Sequence, residues 1–359
     1  MEKSQKLIIA VVAVAAVIIV AAAAVVVMSN SDENEGTITD GLGRVVKVDS
    51  SDRIAATSAV VTEIICGIGG YSKLAAVTQD SSYQVSEYIM GIPNDGYPQS
   101  VLNGLNSGAL YNMGPMYQIN AEAILGANPD VVIMGGYFNN DATIAAIENM
   151  GIPVVICKDD NSIENIYFNI DLIGKVIQKE TEARLLIDQM KSAIGKIVGW
   201  TASLNAAPQN VAVFMMYGSE YGTYANGNSY VMGTPMITML GGTNAFSNIS
   251  GMYEVVSTES IIAANPDIII DSSPGTAADL DSIKTNTLTR GIKAAENDRI
   301  YGTFGTSSTA FTLTSQGFVN SVGIMAMFMY EDHLNFEMDH YMGSGYAADL
   351  QKFWNQINS

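Results

Sequence analysis

The sequence predicts an α/β protein of two lobes, each with a central, mostly parallel sheet, bridged by a long α-helix and preceded by an N-terminal transmembrane helix. Three observations carry that prediction. A motif occurs once in each half of the chain, strands alternate with helices on either side of it, and a long proline-free helical stretch lies between the halves.

The motif reads EAILGANPDVVI at residues 122–133 and ESIIAANPDIII at residues 259–270. Glutamate, Ala-Asn-Pro-Asp and an apolar triplet recur at identical offsets. Each copy reads as a short helix stopped at Pro129 or Pro266, because proline disfavours helical geometry in the residue before it. The runs that follow, VVIM and IIID, read as parallel strands covered on both faces. Around the first copy the pattern predicts a helix over Thr62–Ile68 ending at Gly69-Gly70, a strand over Leu74–Thr78, a helix over Asp141–Met150 and a strand over Val154–Cys157. Around the second it predicts a strand over Val211–Met215, a helix over Pro235–Leu240 and a strand over Ile300–Gly302. Such alternation implies a parallel sheet in each half. Between the halves, Ile166, Ile170, Ile173, Ile177 and further apolar residues to Ile197 keep near-helical spacing, as one long helix or two in sequence. The organisation expected is an N-terminal lobe at 37–162, a bridging helix at 163–203, a C-terminal lobe at 204–330 and an extension at 331–359 with no assigned role.

Lys3 and Lys6 precede an apolar run, Leu7–Met28, long enough to cross a hydrocarbon core of roughly 30 Å. The flanking lysines favour keeping that end in the cytoplasm. Residues 1–28 therefore read as an uncleaved anchor, with the folded body on the extracytoplasmic side of the cell membrane. A signal peptide, cleaved near Ala21–Ala24, is the competing reading. No cysteine follows the run to carry a thioether lipid. Residues 29–36 (SNSDENEG) form a polar, acidic tether.

A formal net charge of −19 repels phosphate backbones and sets nucleic-acid binding aside. Cys66 and Cys157 are too few for a disulfide scaffold and read as buried thiols, with a single bridge between them left open. The chain has no GxxxxGK[ST] loop, no GxSxG elbow and no HExxH pair, so no enzyme activity and no cofactor are expected. His333 and His340 lie seven residues apart in the extension. On a helix they would be two turns apart, so they read as surface residues and no metal site is expected.

In its order of segments the chain resembles the substrate-binding proteins of ABC importers for cobalamin, ferric siderophores and haem. The matching stretches, between Thr37 and Met329, include TDGLGRVVKV, RIAATSAVVTEIICGIGGYSKLAAVT, both NPD units, GIPVVIC and ENDRIYGTF. The resemblance implies an extracytoplasmic component that captures a metal-chelate small molecule between two lobes. It would hand that ligand to an ABC permease and its ATPase subunits. Two rivals share such a fold: a surface receptor that does not transport, and a chelatase-like metal enzyme. The export segment and the lack of cysteine or histidine ligands near a cleft count against the enzyme.

The resemblance also implies that Glu122 and Glu259, one per lobe, dock on permease arginines. Helix stability is the other reading, since an acid in the first turn complements the helix dipole. A ligand is expected outside the carboxyl ends of the parallel strands. The residues placed there are Gln79, Asp80, Tyr137 and Phe138 in the first half. Those in the second are Tyr217, Tyr221, Tyr224, Asn226, Ser273 and Phe304. None of the arginines (Arg44, Arg53, Arg184, Arg290, Arg299) falls at such a strand end, which favours a ligand of low charge or one carrying its own metal, such as a corrinoid.

Overall fold

The repeated motif explains how both sheets are held. Asn128 and Asn265 adopt positive φ, 46° and 40°, and so end their helices in the left-handed conformation one residue ahead of the proline. The aspartate that follows then ties its strand to the neighbour. Asp130 N–H donates to Arg53 O at 2.7 Å, and its Oδ2 accepts the Arg53 N–H at 3.0 Å. Asp267 repeats this on Asn210, with 2.8 Å for each bond. Each Asp thereby fixes the register between a central strand and its parallel partner. The helix stop expected at the prolines thus begins one residue earlier, at asparagine.

The computed structural model describes residues 36–359 apart from 83–85, 87, 94–96, 120, 137–140, 160, 220–221, 273–276, 305–310 and 313. The apolar run at residues 7–28 and the tether up to residue 35 lie outside the described residues. Among the described residues no helix is long and apolar enough to cross a membrane. Residues 38–359 form one compact unit.

In chain order the strands are β1 (Thr37–Thr39), β2 (Val45–Lys47), β3 (Ile54–Ala56), β4 (Leu74–Val77), β5 (Tyr111–Asn112), β6 (Val131–Met134) and β7 (Val154–Ile156), then β8 (Asn210–Ser219), β9 (Gly222–Asn226), β10 (Thr243–Asn244), β11 (Tyr253–Val256), β12 (Ile268–Asp271), β13 (Ile300–Thr303) and β14 (Tyr341–Met342). Strands β1 and β2 pair on their own. The first large sheet has the order β5-β4-β3-β6-β7 and is parallel throughout. The second has the order β11-β9-β8-β12-β13-β14. There β8, β12, β13 and β14 are parallel, β10 adds in parallel at the start of β8, and β9 pairs antiparallel with both β8 and β11. Strands β3, β4, β6, β7, β12 and β13 are buried at every position, as strands covered on both faces must be.

Alternate strand residues serve different cores. Ile54, Ala56, Val131 and Ile133 face the main core, whereas Ala55, Val132 and Met134 face a smaller cluster on the other side of the first sheet. The second sheet divides likewise, with Val211, Val213, Ile268 and Ile270 on the main core and Ala212, Phe214 and Ile269 in a third cluster.

The stretch 163–203 is two helices, Ile163–Val176 and Glu180–Ser203, rather than one. The break falls at Gln178, which takes φ of 60°. Gly174 then packs so close to Ala183 that a Cβ added at 174 would lie 2.5 Å from the alanine methyl. The chain turns back there and the two helices pack together. The second helix, 24 residues long, spans about 36 Å.

The segment 331–359 is built into the fold, contrary to its reading as an extension. It supplies β14, the edge strand beside β13, and the helix Tyr346–Ile357. Phe353 of that helix meets Trp200 edge-on with ring centres 5.0 Å apart. The helix also packs on Phe318–Met329, whose every residue is buried. A helix apolar on all sides belongs in a core, and this one lies within the main cluster. His340 is half-buried with Nε2 2.8 Å from Glu331 Oε1, while His333 is exposed. Cys66 and Cys157 are both buried and not joined in a disulfide, and burial pushes the Cys66 thiol well above its ordinary pKa.

Candidate functional site

In each sheet the carboxyl ends of the parallel strands gather small polar groups and a buried acid, and in the second sheet aromatic rings as well. On the first sheet, β3 runs into Thr57 and Ser58. Ser58 caps the helix Ala59–Gly67 by accepting the Val61 N–H at 3.3 Å. Beside it the hydroxyls of Thr62 and Ser81 lie 3.0 Å apart, and those of Thr78 and Ser81 3.3 Å apart. After β4, Gln79 is exposed, whereas Asp80 is buried and accepts the Met116 N–H at 2.7 Å. Of the two, Gln79 is the side chain open to a ligand, and Asp80 shapes the following loop. Tyr137 and Phe138, expected after β6, lie outside the described residues.

On the second sheet β8 continues to Ser219 and returns as β9 in a hairpin, so the tyrosines expected at one strand end are distributed along two strands. Tyr217 is 9% exposed, and its ring centre lies 5.7 Å from that of Phe214. Its N–H donates to Asp271 Oδ2 at 2.9 Å. Burial, followed by the Asp271 carboxylate, raises the Tyr217 phenol above its ordinary pKa, so the hydroxyl stays protonated. Tyr224 sits opposite Met215 with its ring edge-on to Tyr253 at 6.0 Å. Asn226 lies further along β9, opposite Tyr253 of β11, and is 1% exposed. Among the described residues neither of its amide atoms has a hydrogen-bond partner. Phe304 follows β13 and is half-buried, with its ring 6.3 Å from Tyr341. Tyr221 and Ser273 lie outside the described residues.

Two residues that sequence reasoning passed over stand at the same strand ends. Asp271 closes β12 and is fully buried. Lys158 stands two residues beyond β7, with its ammonium 4.2 Å from the centre of the Phe168 ring. Both were visible in sequence, in IIID and PVVICKDD, but the attention given to aromatics and arginines missed them.

Glu122 and Glu259 are exposed and lie in the first turns of the helices Ala121–Gly126 and Thr258–Ala264. No ion pair involves either residue among the described residues. Ser257 caps the second helix, accepting the Ser260 N–H at 3.2 Å. The Glu259 carboxyl is held below its ordinary pKa, first by its own backbone N–H and then by the Ser257 hydroxyl. Asn120, the corresponding cap expected for the first helix, lies outside the described residues. Among those residues no group of three or more His, Cys, Asp and Glu side chains is arranged to hold a metal ion.

Comparison with known proteins gives a consistent result. A family model described as periplasmic binding protein matches residues 54–304. The substrate-binding lipoprotein YvrC of Bacillus subtilis, described as an uncharacterized ABC transporter component, is 24% identical over 247 residues, covering 67% of this chain and 68% of that protein. A vitamin B12-binding protein of Yersinia pestis is 21% identical over 234 residues, 65% of this chain and 73% of its own. Among solved structures, a possible iron-binding periplasmic solute-binding protein of Staphylococcus epidermidis superposes with a TM-score of 0.62 at 24% identity, covering 78% of this chain and 98% of that one.

Proposed function

Since the chain belongs to the periplasmic binding protein family, we propose that it is the extracytoplasmic solute-binding component of an ABC importer for a metal-chelate ligand: a corrinoid, a ferric siderophore or haem. The observation that supports this reading is a pair of sheets, one parallel and one mixed, whose parallel strands end near Gln79, Tyr217, Tyr224 and Phe304. Tyrosine and phenylalanine faces suit a large, partly apolar ligand, and phenol hydroxyls and amides supply orientation. The relatives described above are named as binding or substrate-binding proteins rather than enzymes.

In this reading residues 37–162 and 204–330 are the ligand-closing lobes, and the helices between them limit the hinge. The run Leu7–Met28 anchors the body to the outer face of the cell membrane. Glu122 and Glu259, exposed and without a cationic partner among the described residues, are the permease contacts, one from each half. An isolated exposed carboxylate contributes little to its own fold; paired with a permease arginine across a desolvated interface it contributes more.

Charge reversal separates the two roles. Glu122→Lys and Glu259→Lys are expected to leave ligand affinity within about twofold while ATP-driven uptake into vesicles carrying the cognate permease falls at least tenfold. Undiminished uptake by the double variant contradicts the docking assignment.

A further inference from the structure

Lys158 departs from the pattern of the other basic residues. In a chain of net charge −19, most lysines have found a carboxylate: Lys47 with Asp49, Lys73 with Asp52, Lys175 with Asp171, Lys179 with Glu182, Lys284 with Asp298, Lys293 with Asp267 and Lys352 with Asp349. Lys158 is half-buried, and among the described residues its ammonium has no hydrogen bond or ion pair; it lies 4.2 Å from the centre of the Phe168 ring. A partly desolvated cation gains some attraction from a ring face, yet an anion in hydrogen-bond reach would compensate its lost hydration better.

The backbone around this lysine is fixed from three sides. Asn169, buried on the helix Ile163–Val176, accepts the Lys158 N–H at 2.7 Å and donates to its carbonyl at 3.0 Å. Gly136, just beyond β6, approaches so closely that a Cβ there would lie 2.5 Å from the Lys158 carbonyl carbon. Gly41 crowds the other side, where a Cβ would come within 2.4 Å of the Lys158 nitrogen. The fold thus holds the residue at the carboxyl edge of the first sheet, among the strand ends to which the ligand is assigned. Lys191 provides a contrast: its ammonium also lies near a ring, 5.1 Å from the centre of Tyr167, but the residue is exposed.

We infer that Lys158 is the anion-reading residue of the binding site, pairing with a carboxylate or phosphate carried on the periphery of the chelate. The inference rests on the proposed ligand-binding reading and narrows it from metal chelates in general to those with a free anionic group. It revises the expectation drawn from the arginines alone, because the cation at a strand end is a lysine.

The test is calorimetric titration of the full-length chain in detergent with chelates that differ in peripheral charge: haemin against haemin dimethyl ester, and ferric citrate against ferrichrome. The expected result is binding of an anion-bearing member at least tenfold tighter than its neutral counterpart, with that preference shrinking as sodium chloride is raised. Lys158→Met, which keeps the apolar stem over Phe168, should lose at least tenfold for the anionic member and less than twofold for any neutral member that binds. Lys158→Arg should retain the preference, and Lys191→Met should leave it unchanged. The salt series on the unaltered chain gives the same answer without depending on the folding of a variant. Binding confined to neutral probes, or a Lys158→Met variant with unchanged selectivity, overturns the inference and leaves the chelate reading intact. Failure of every probe to bind the folded chain overturns both.

Discussion

Glu63, the one acid of the helix Ala59–Gly67, is fully buried, and its partners come from distant parts of the chain. Its Oε1 accepts the Ser86 N–H at 2.8 Å and the Tyr97 hydroxyl at 3.4 Å, while the Ser315 hydroxyl donates to Oε2. Gln316 Nε2 donates to the Glu63 carbonyl at 2.7 Å. Burial raises the pKa of this carboxyl above the usual 4.5, outweighing the hydrogen bonds that favour its charge. A carboxyl whose pKa is raised on folding contributes stability that is complete below its unfolded pKa and is lost as pH rises through the folded value. Glu63→Gln, neutral at every pH, is therefore expected to flatten the decline of melting temperature above about pH 4.5 while keeping the hydrogen-bonding shape. Glu63→Ala, which strands several buried donors, should cost about 3 kcal/mol in denaturant unfolding. Identical pH profiles for the native chain and Glu63→Gln would contradict this account.

At the scale of elements, the repeated Asn-Pro-Asp unit was the clearest signal in the sequence, and its two copies do mark equivalent helix-to-strand junctions. The reason lies in two different residues: asparagine tolerates the left-handed cap, and aspartate can pin a neighbouring strand. Asp130→Ala and Asp267→Ala should each destabilise by about 2 kcal/mol. Because they act in separate sheets, their effects should add in the double variant, as read by chemical denaturation. Central strands were legible because they are continuous apolar runs, and their buried β-branched residues leave little alternative. The β8–β9 hairpin was not, because MMYGSEYGTYANGN reads as loop when only tyrosines are weighed and the glycine turn is not. The turn at Gln178 was equally hidden, since apolar spacing runs on through it and only Gly174 hints at a close helix crossing. The last helix was passed over for lack of a motif, although its Leu350 and Phe353 are fully buried. Phe353→Ala should cost about 3–4 kcal/mol, the range for a large aromatic removed from a packed core. A cost under 1 kcal/mol would return the segment to the status of an appendage.

For the molecule as a whole, one continuous core passes from the inner face of the first sheet through Ile163–Val176, Glu180–Ser203 and Phe318–Met329 to the inner face of the second. Asn320 joins the halves with polar contacts as well, accepting the Met90 N–H at 3.0 Å and donating to the Tyr88 carbonyl. Shared packing of this kind resists wide hinge opening, because a close-packed interior moves between discrete arrangements rather than deforming freely. A site on such a frame is largely preformed, so ligand capture should demand little reorganisation and the affinity should be correspondingly high. The ligand-facing surface was only partly legible in the sequence: strand ends could be located, but which side chain at each end turns to solvent depends on packing. Gln79 and Asp80, adjacent in sequence and opposite in exposure, show why.

The central claim is that the chain binds a metal chelate at the carboxyl ends of the parallel strands in its two sheets. The most direct measurement is a titration of the full-length protein with cyanocobalamin, ferrichrome, ferric citrate and haemin, followed by quenching of tyrosine and tryptophan fluorescence and by calorimetry. The account predicts one-to-one binding of one class with a dissociation constant below about 1 μM, equivalent to about 8 kcal/mol, weakened at least tenfold by Tyr217→Ala combined with Tyr224→Ala. A folded protein that binds none of them, or binds one equally well without those tyrosines, would contradict it.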